Sequence, residues 1–230
     1  MSSHFVGSAI RPVLLIISAL AMMAAVPVTT PHAHGTAGCG PGGGPPPGAA
    51  SQDVSAVYGE PATLWISSSV IGIATAHGYS QAAIESPSPL QRSALIIDAQ
   101  QDGNHQVIVD TGREAILYVV SGCTISPAVD QRGQSFRFDV GHRRDAGDGV
   151  GCSDLGDGRR LVGLLQQRDD LDQPLLTVRR TEIDLDGPVA TPGRSDVVTA
   201  TSEQDPAWTT AADISCGDRT LEQDGVKAPY

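Results

Sequence analysis

The chain has 230 residues, a formal net charge of −11, four cysteines and only 4 % aromatic residues. A surface this acidic repels phosphate backbones, so no nucleic acid is expected as a partner. Trp65, Trp208, Phe136 and Phe138 are the only Trp and Phe residues beyond the N-terminal region, so the core must be built mostly from Val, Ile, Leu and Ala, and no aromatic binding groove is expected.

Arg11 is the only charged side chain before an apolar run from Pro12 to Val26, and small residues then lead to Cys39. That run is too short to cross a ~30 Å hydrocarbon core comfortably as a helix and has the form of a signal peptide, here residues 1–38. Residues 39–53, rich in Gly and Pro, read as a disordered tether, and residues 54–225 as one β-rich domain. The protein is thus expected to be exported to the cell envelope or the extracellular space.

The four cysteines Cys39, Cys123, Cys152 and Cys216 allow two disulfides in three pairings. Cys123 and Cys152 each follow Gly at an apparent strand end, and closing that loop would stabilise the fold by ~3–4 kcal/mol in the chain-entropy model. This makes Cys123–Cys152 the expected pair, with Cys216 joined to Cys39 or left free. Alternatively, Thr36-Ala37-Gly38-Cys39 resembles a bacterial lipobox, which implies a lipid-bearing Cys39 and contact with a membrane through that anchor alone.

Short β-type runs then recur between turn signals: Ala62 to Ser67, Val70 to Thr75, Ala94 to Asp98, Gln106 to Asp110, Ala115 to Val120, Ser135 to Val140, Leu161 to Gln166 and Leu175 to Asp186. One helix is expected over Pro206 to Ile214, with Asp205 as its N-cap and Gly217 as its stop. The fold class is therefore mainly β, a small antiparallel domain built as a sandwich or as partial propeller-like sheets, with one short C-terminal helix.

Gly78-Tyr79-Ser80-Gln81-Ala82 resembles the nucleophile elbow of secreted cutinase-type esterases. The resemblance implies a serine hydrolase in which Ser80 would be served by Asp139 and His142. Ala82 stands where that elbow ends in Gly, and under two turns of helix fit between Gln81 and Pro87.

Two Asp/Gly turns stand before apolar strands, Asp98-Ala99-Gln100-Gln101-Asp102-Gly103 and Asp154-Leu155-Gly156-Asp157-Gly158. Over Leu95 to Leu185 they resemble degenerate FG-GAP or VCBS repeats, whose carboxylates hold calcium and whose repeats form propeller blades. The resemblance implies weak calcium sites at Asp98 with Asp102 and at Asp154 with Asp157. Two carboxylates per turn fall short of the six to eight oxygens calcium takes, so metal-free hairpin turns are the leading expectation, and no cofactor is expected. Together these features point to a non-enzymatic binding or structural domain that meets a protein or glycan partner at the cell surface. The esterase and the calcium-dependent adhesion module stand as alternatives.

Overall fold

In Leu95-Ile96-Ile97, Val107-Ile108-Val109 and Ala115-Ile116-Leu117-Tyr118 every residue is apolar, so neither face of such strands can meet water. In the computed structural model, which describes residues 39–40, 44–143, 146–169 and 175–230, these runs form the middle of three stacked antiparallel sheets. The chain is mainly β, as expected.

The first sheet is a meander of β1 (Ala50–Asp53), β2 (Ala62–Ile66), β3 (Val70–Thr75) and β4 (Gly78–Ala83), with the one-turn helix α1 (Ser55–Tyr58) between β1 and β2. The central sheet holds β5 (Ser93–Ile97), β6 (His105–Asp110), β7 (Glu114–Ser121) and β8 (Thr124–Pro127), with β9 (Arg137–Asp139) on the near end of β7. The third sheet comprises β10 (Gly141–Arg143), β11 (Ala146–Asp154), β12 (Arg159–Arg168), β13 (Leu176–Asp186) and β14 (Val189–Ala200). The chain closes with α2 (Pro206–Thr209), a 3-10 turn (Thr210–Ala212), the ribbon β15 (Ser215–Cys216) and β16 (Arg219–Thr220), α3 (Leu221–Asp224) and β17 (Val226–Lys227), which pairs with β5.

Alternation along the central strands divides the core in two. Ile96, Val107, Val109, Ile116 and Tyr118 pack against Leu64, Ile66, Ile71 and Ile73 of the first sheet. Their neighbours Leu95, Ile97, Ile108 and Leu117 pack against Val150, Leu161, Ile183 and Ala190 of the third. A smaller cluster of Leu176, Val178, Ala200, Trp208 and Ala211 seats α2 on the far face of the third sheet. Asp205 caps α2 by accepting from Ala207 N at 2.9 Å, but helical structure stops at Ala212 rather than Ile214, and Gly217 turns the β15–β16 ribbon instead.

Several expectations are corrected. The disulfides join Cys39 to Cys123 and Cys152 to Cys216, so Cys123 and Cys152 are both bridged, but not to each other. Cys123 lies in the β7–β8 turn beside the first sheet, and Cys152 in β11 of the third, so the central sheet separates them. The run read as a tether includes strand β1, and Gly40 exchanges backbone hydrogen bonds with Tyr79 at 3.1 and 3.2 Å. At the other end the domain runs past residue 225 into β17 and the buried Ala228. Residues 1–38, expected to be a signal peptide, lie outside the described residues.

Strand β11 explains a glycine pattern that composition alone leaves as loop. Gly147, Gly149 and Gly151 alternate on the face of β11 that meets the segment Ala211–Ser215. A Cβ on Gly149 would come within 3.0 Å of backbone atoms of Ala211 and Asp213. Without side chains there, Val150 N donates to Asp213 O at 3.0 Å, and Ile214 bridges Val150 in parallel. The Cys152–Cys216 bond pins the same contact.

Candidate functional site

Pinning the C-terminal segment to β11 creates a cleft where it crosses the end of the central sheet. The cleft has a volume of about 440 Å³, and its polar lining includes Ser93, Asp110, Asp213, Glu222, Gln223 and Lys227. Register explains part of this set. Lys227 pairs with Ser93, and Ser93 with Asp110, so the three form one row across β17, β5 and β6. The row continues through Ala115 to Phe138, both in the core shared with the third sheet, which fixes the face on which it stands.

Asp110 is the one carboxyl of the row. Burial pushes its pKa up from the ordinary carboxylate value, while a hydrogen bond from Gly112 N at 2.7 Å acts in the opposite direction. The opposing wall is held by local caps: Thr220 Oγ1 accepts from Gln223 N at 3.2 Å, and Asp224 Oδ2 accepts from Thr220 N at 2.9 Å. Ala228 N donates to Arg92 O at 2.8 Å and closes β17 against β5. The cleft thus offers carboxylate, hydroxyl, amide and a single ammonium group to a polar ligand. Asp110 and Lys227 carry no local sequence signal, because only strand register brings them together.

The residues expected to carry hydrolysis are not assembled. Gly78 to Ala82 lies within strand β4, so no elbow forms there. Ser80 is 2 % exposed, and its Oγ accepts from Ile125 N at 2.6 Å. Ile125 pairs with Val120, whereas Asp139 pairs with Glu114 six residues back along β7, about 20 Å away at ~3.4 Å per residue. The backbone of His142 lies in β10 opposite Gly147 in the third sheet. The side chain of His142 is outside the described residues.

The two Asp/Gly turns are the β5–β6 and β11–β12 hairpin loops. In the first, Asp98 accepts from Asp102 N at 3.1 Å and Gly103 N at 2.9 Å, while Asp102 accepts from Asn104 N and Nδ2 at 2.9 and 3.0 Å. Gly103 at φ 83° supplies the left-handed backbone that the turn requires. In the second, Asp154 accepts from Gly156 N and Gly158 N at 2.6 and 3.1 Å, and Asp157 pairs with Arg194 at 3.1 Å. All four carboxylates are engaged by the protein's own donors. Among the described residues no three His, Cys, Asp or Glu side chains come together as a metal site.

Cys39 has its sulfur bonded to Cys123, and one sulfur cannot carry a disulfide and a lipid thioether at once. His105 is buried, with Nε2 2.9 Å from Val57 O and its ring stacked on Tyr58 at 4.7 Å. Among the described residues no helix is long and apolar enough to cross a membrane. The chain matches no protein-family model, no curated protein and no solved structure.

Proposed function

We propose that this is an exported, non-enzymatic binding protein whose β stack works outside the cytosol and engages a polar partner, a glycan or a protein loop, through the Asp110–Ser93–Lys227 cleft. The observation that carries the reading is the Cys152–Cys216 bond, which holds the cleft wall against β11 and suits an oxidising compartment. The mixed lining supports recognition of hydroxyl and amide groups rather than of a large apolar ligand. The expected export address is residues 1–38, and the disulfide at Cys39 favours release over lipid anchoring.

Two measurements test this. The intact mass of the exported protein should show the leader removed, two disulfides and no acyl chain; an unprocessed, reduced protein recovered from the cytosol would refute export. The second is co-sedimentation with the host's envelope fraction. Wild type should be retained, and Lys227→Ala combined with Asp110→Asn should lower retention several-fold with an unchanged circular dichroism spectrum. Equal retention of the two proteins would refute the assignment of the cleft.

A further inference from the structure

Strand β14 ends the third sheet, so one edge of its backbone has no strand beside it. In antiparallel ladders successive residues turn their N–H and C=O groups alternately toward one neighbour and the other. Val150 N donates to Asp213 O, so Val150 faces away from β12 and its neighbour Gly149 faces toward it. Gly149 stands opposite Leu164, Leu164 opposite Arg180, and Arg180 opposite Asp196. Carried across these ladders, the alternation turns the backbone of Leu164 to β11, that of Arg180 to β14 and that of Asp196 to β13. Ser195, Val197 and Thr199 then aim their N–H and C=O groups at the outer side of β14.

The first part of this edge is protected. Ala190 N donates to Val129 O, and Val129 N to Pro188 O, both at 2.8 Å. Pro192 has no N–H, and Gly193 and Arg194 together face Glu182 as a bulge. Past the bulge the protection stops. Among the described residues no backbone hydrogen bond from outside the ladder reaches Ser195, Val197 or Thr199. All three are exposed, Val197 at 57 %. The run Ser195 to Ala200 reads Ser-Asp-Val-Val-Thr-Ala, with none of the Lys or Pro that discourages strand addition at an open edge. Its one charge, Asp196, stands on the face opposite to Val197 and accepts from Arg180 Nε at 2.8 Å.

We propose that Ser195 to Thr199 is a self-association edge, which pairs antiparallel with the same segment of a second copy of this chain about a two-fold axis through Val197. In that register Val197 meets the partner's Val197, and Ser195 meets the partner's Thr199. All three outward-facing residues then fall in hydrogen-bonded pairs, each of which exchanges both of its bonds. Moving the axis to Val198 would leave Ser195 outside those pairs. The side chains agree with the same register: valine lies on valine between two serine–threonine pairs, combinations that stabilise neighbouring strands. Asp196 meets the partner's Val198, so no like charges stand opposed. The two copies of Arg179, each one strand inward of Val197, lie three strand spacings apart, ~14 Å, beyond the ~8 Å screening length at physiological ionic strength. This match of the segment with itself selects a second copy over an unrelated extended peptide. An edge contact this short belongs with small, transient interfaces, so the pairing is reversible.

Sedimentation velocity of the oxidised, exported protein tests this over about 1 µM to 1 mM, a range that brackets micromolar affinity. The mass should rise with concentration toward twice that of the monomer. Val197→Pro removes an outward N–H that β13 does not use, and that variant should stay monomeric with an unchanged circular dichroism spectrum. Val197→Lys, which places two like charges on the axis from an exposed side chain, should do the same and covers the case in which proline disturbs the fold. Air oxidation of Val197→Cys should yield a disulfide-linked dimer, because hydrogen-bonded antiparallel pairs hold their Cα atoms ~5.5 Å apart. Thr199→Cys should crosslink several-fold less, since its two copies stand about 14 Å apart in this register. A wild type that stays monomeric at the highest concentration, whether or not it takes up an added extended peptide, would overturn the proposal. So would a dimer that survives Val197→Lys, or equal crosslinking at the two positions.

Discussion

Gly149→Ala adds one methyl group at a place where no side chain can give way. The new Cβ would fall within 3.0 Å of backbone atoms of Ala211 and Asp213, so the strain must be relieved by moving the 3-10 segment off β11. Overpacking of this kind costs about 1–3 kcal/mol, and losing the Val150 N to Asp213 O bond adds about 1 kcal/mol. Against this, replacing glycine restricts the unfolded chain and returns about 0.4–1 kcal/mol. The balance is a loss of about 1–3.5 kcal/mol, or roughly 2–14 °C in Tm for a chain of this size. Gly163→Ala is the matched control on the adjacent strand, where the added Cβ would meet the Phe138 ring at 3.6 and 3.8 Å, ordinary contact distances. That variant should be neutral or slightly stabilised. Thermal and urea unfolding with both disulfides intact measures the pair, and equal stabilities would refute the glycine-stripe argument and the way it positions the cleft wall.

Ser80→Ala should lower stability by about 1–3 kcal/mol, because Ile125 N–H would be left buried without an acceptor; a stability equal to wild type in urea unfolding would contradict this role. Loss of Cys152–Cys216 through paired Cys→Ser substitutions removes a crosslink spanning 64 residues and should cost about 4 kcal/mol in the chain-entropy model, and a non-reducing peptide map should recover Cys39 with Cys123 and Cys152 with Cys216. Asp110→Asn should raise stability at neutral pH. Because burial raises the folded-state pKa of Asp110 above its unfolded value, the wild type is penalised once pH exceeds that raised value and the penalty fades as pH falls below the unfolded one. The gain over wild type should therefore shrink on acidification, and a gain that grows toward acid pH would reverse the assignment.

How far the fold could be read depended on what each strand is made of. The runs at residues 95–97, 107–109 and 115–118 announce themselves because burial on both faces demands unbroken apolar sequence. Strand β4 is written Gly-Tyr-Ser-Gln-Ala-Ala, and β11 carries alternate glycines. Neither has the side chains that mark a strand, and their pairing is imposed by neighbours in the sheet. Strand β14 contains Pro192 and Gly193, which an outer strand with a bulge opposite Thr181–Ile183 accommodates. The disulfide pairing was hidden for a related reason: it depends on which sheet each turn faces, and stacking order is not a local property. The same holds for the cleft, whose Asp110 and Lys227 are 117 positions apart in sequence but one strand removed in space.

The two crosslinks are consecutive along the chain rather than interleaved: the first cysteine is joined to the second, and the third to the fourth. A polypeptide threaded through a pore from its N-terminus would present each bonding partner in turn, and the earlier ring could shut before the later pair arrived. Oxidation in order of emergence yields the native connectivity directly, with no wrong bridge to be broken and remade.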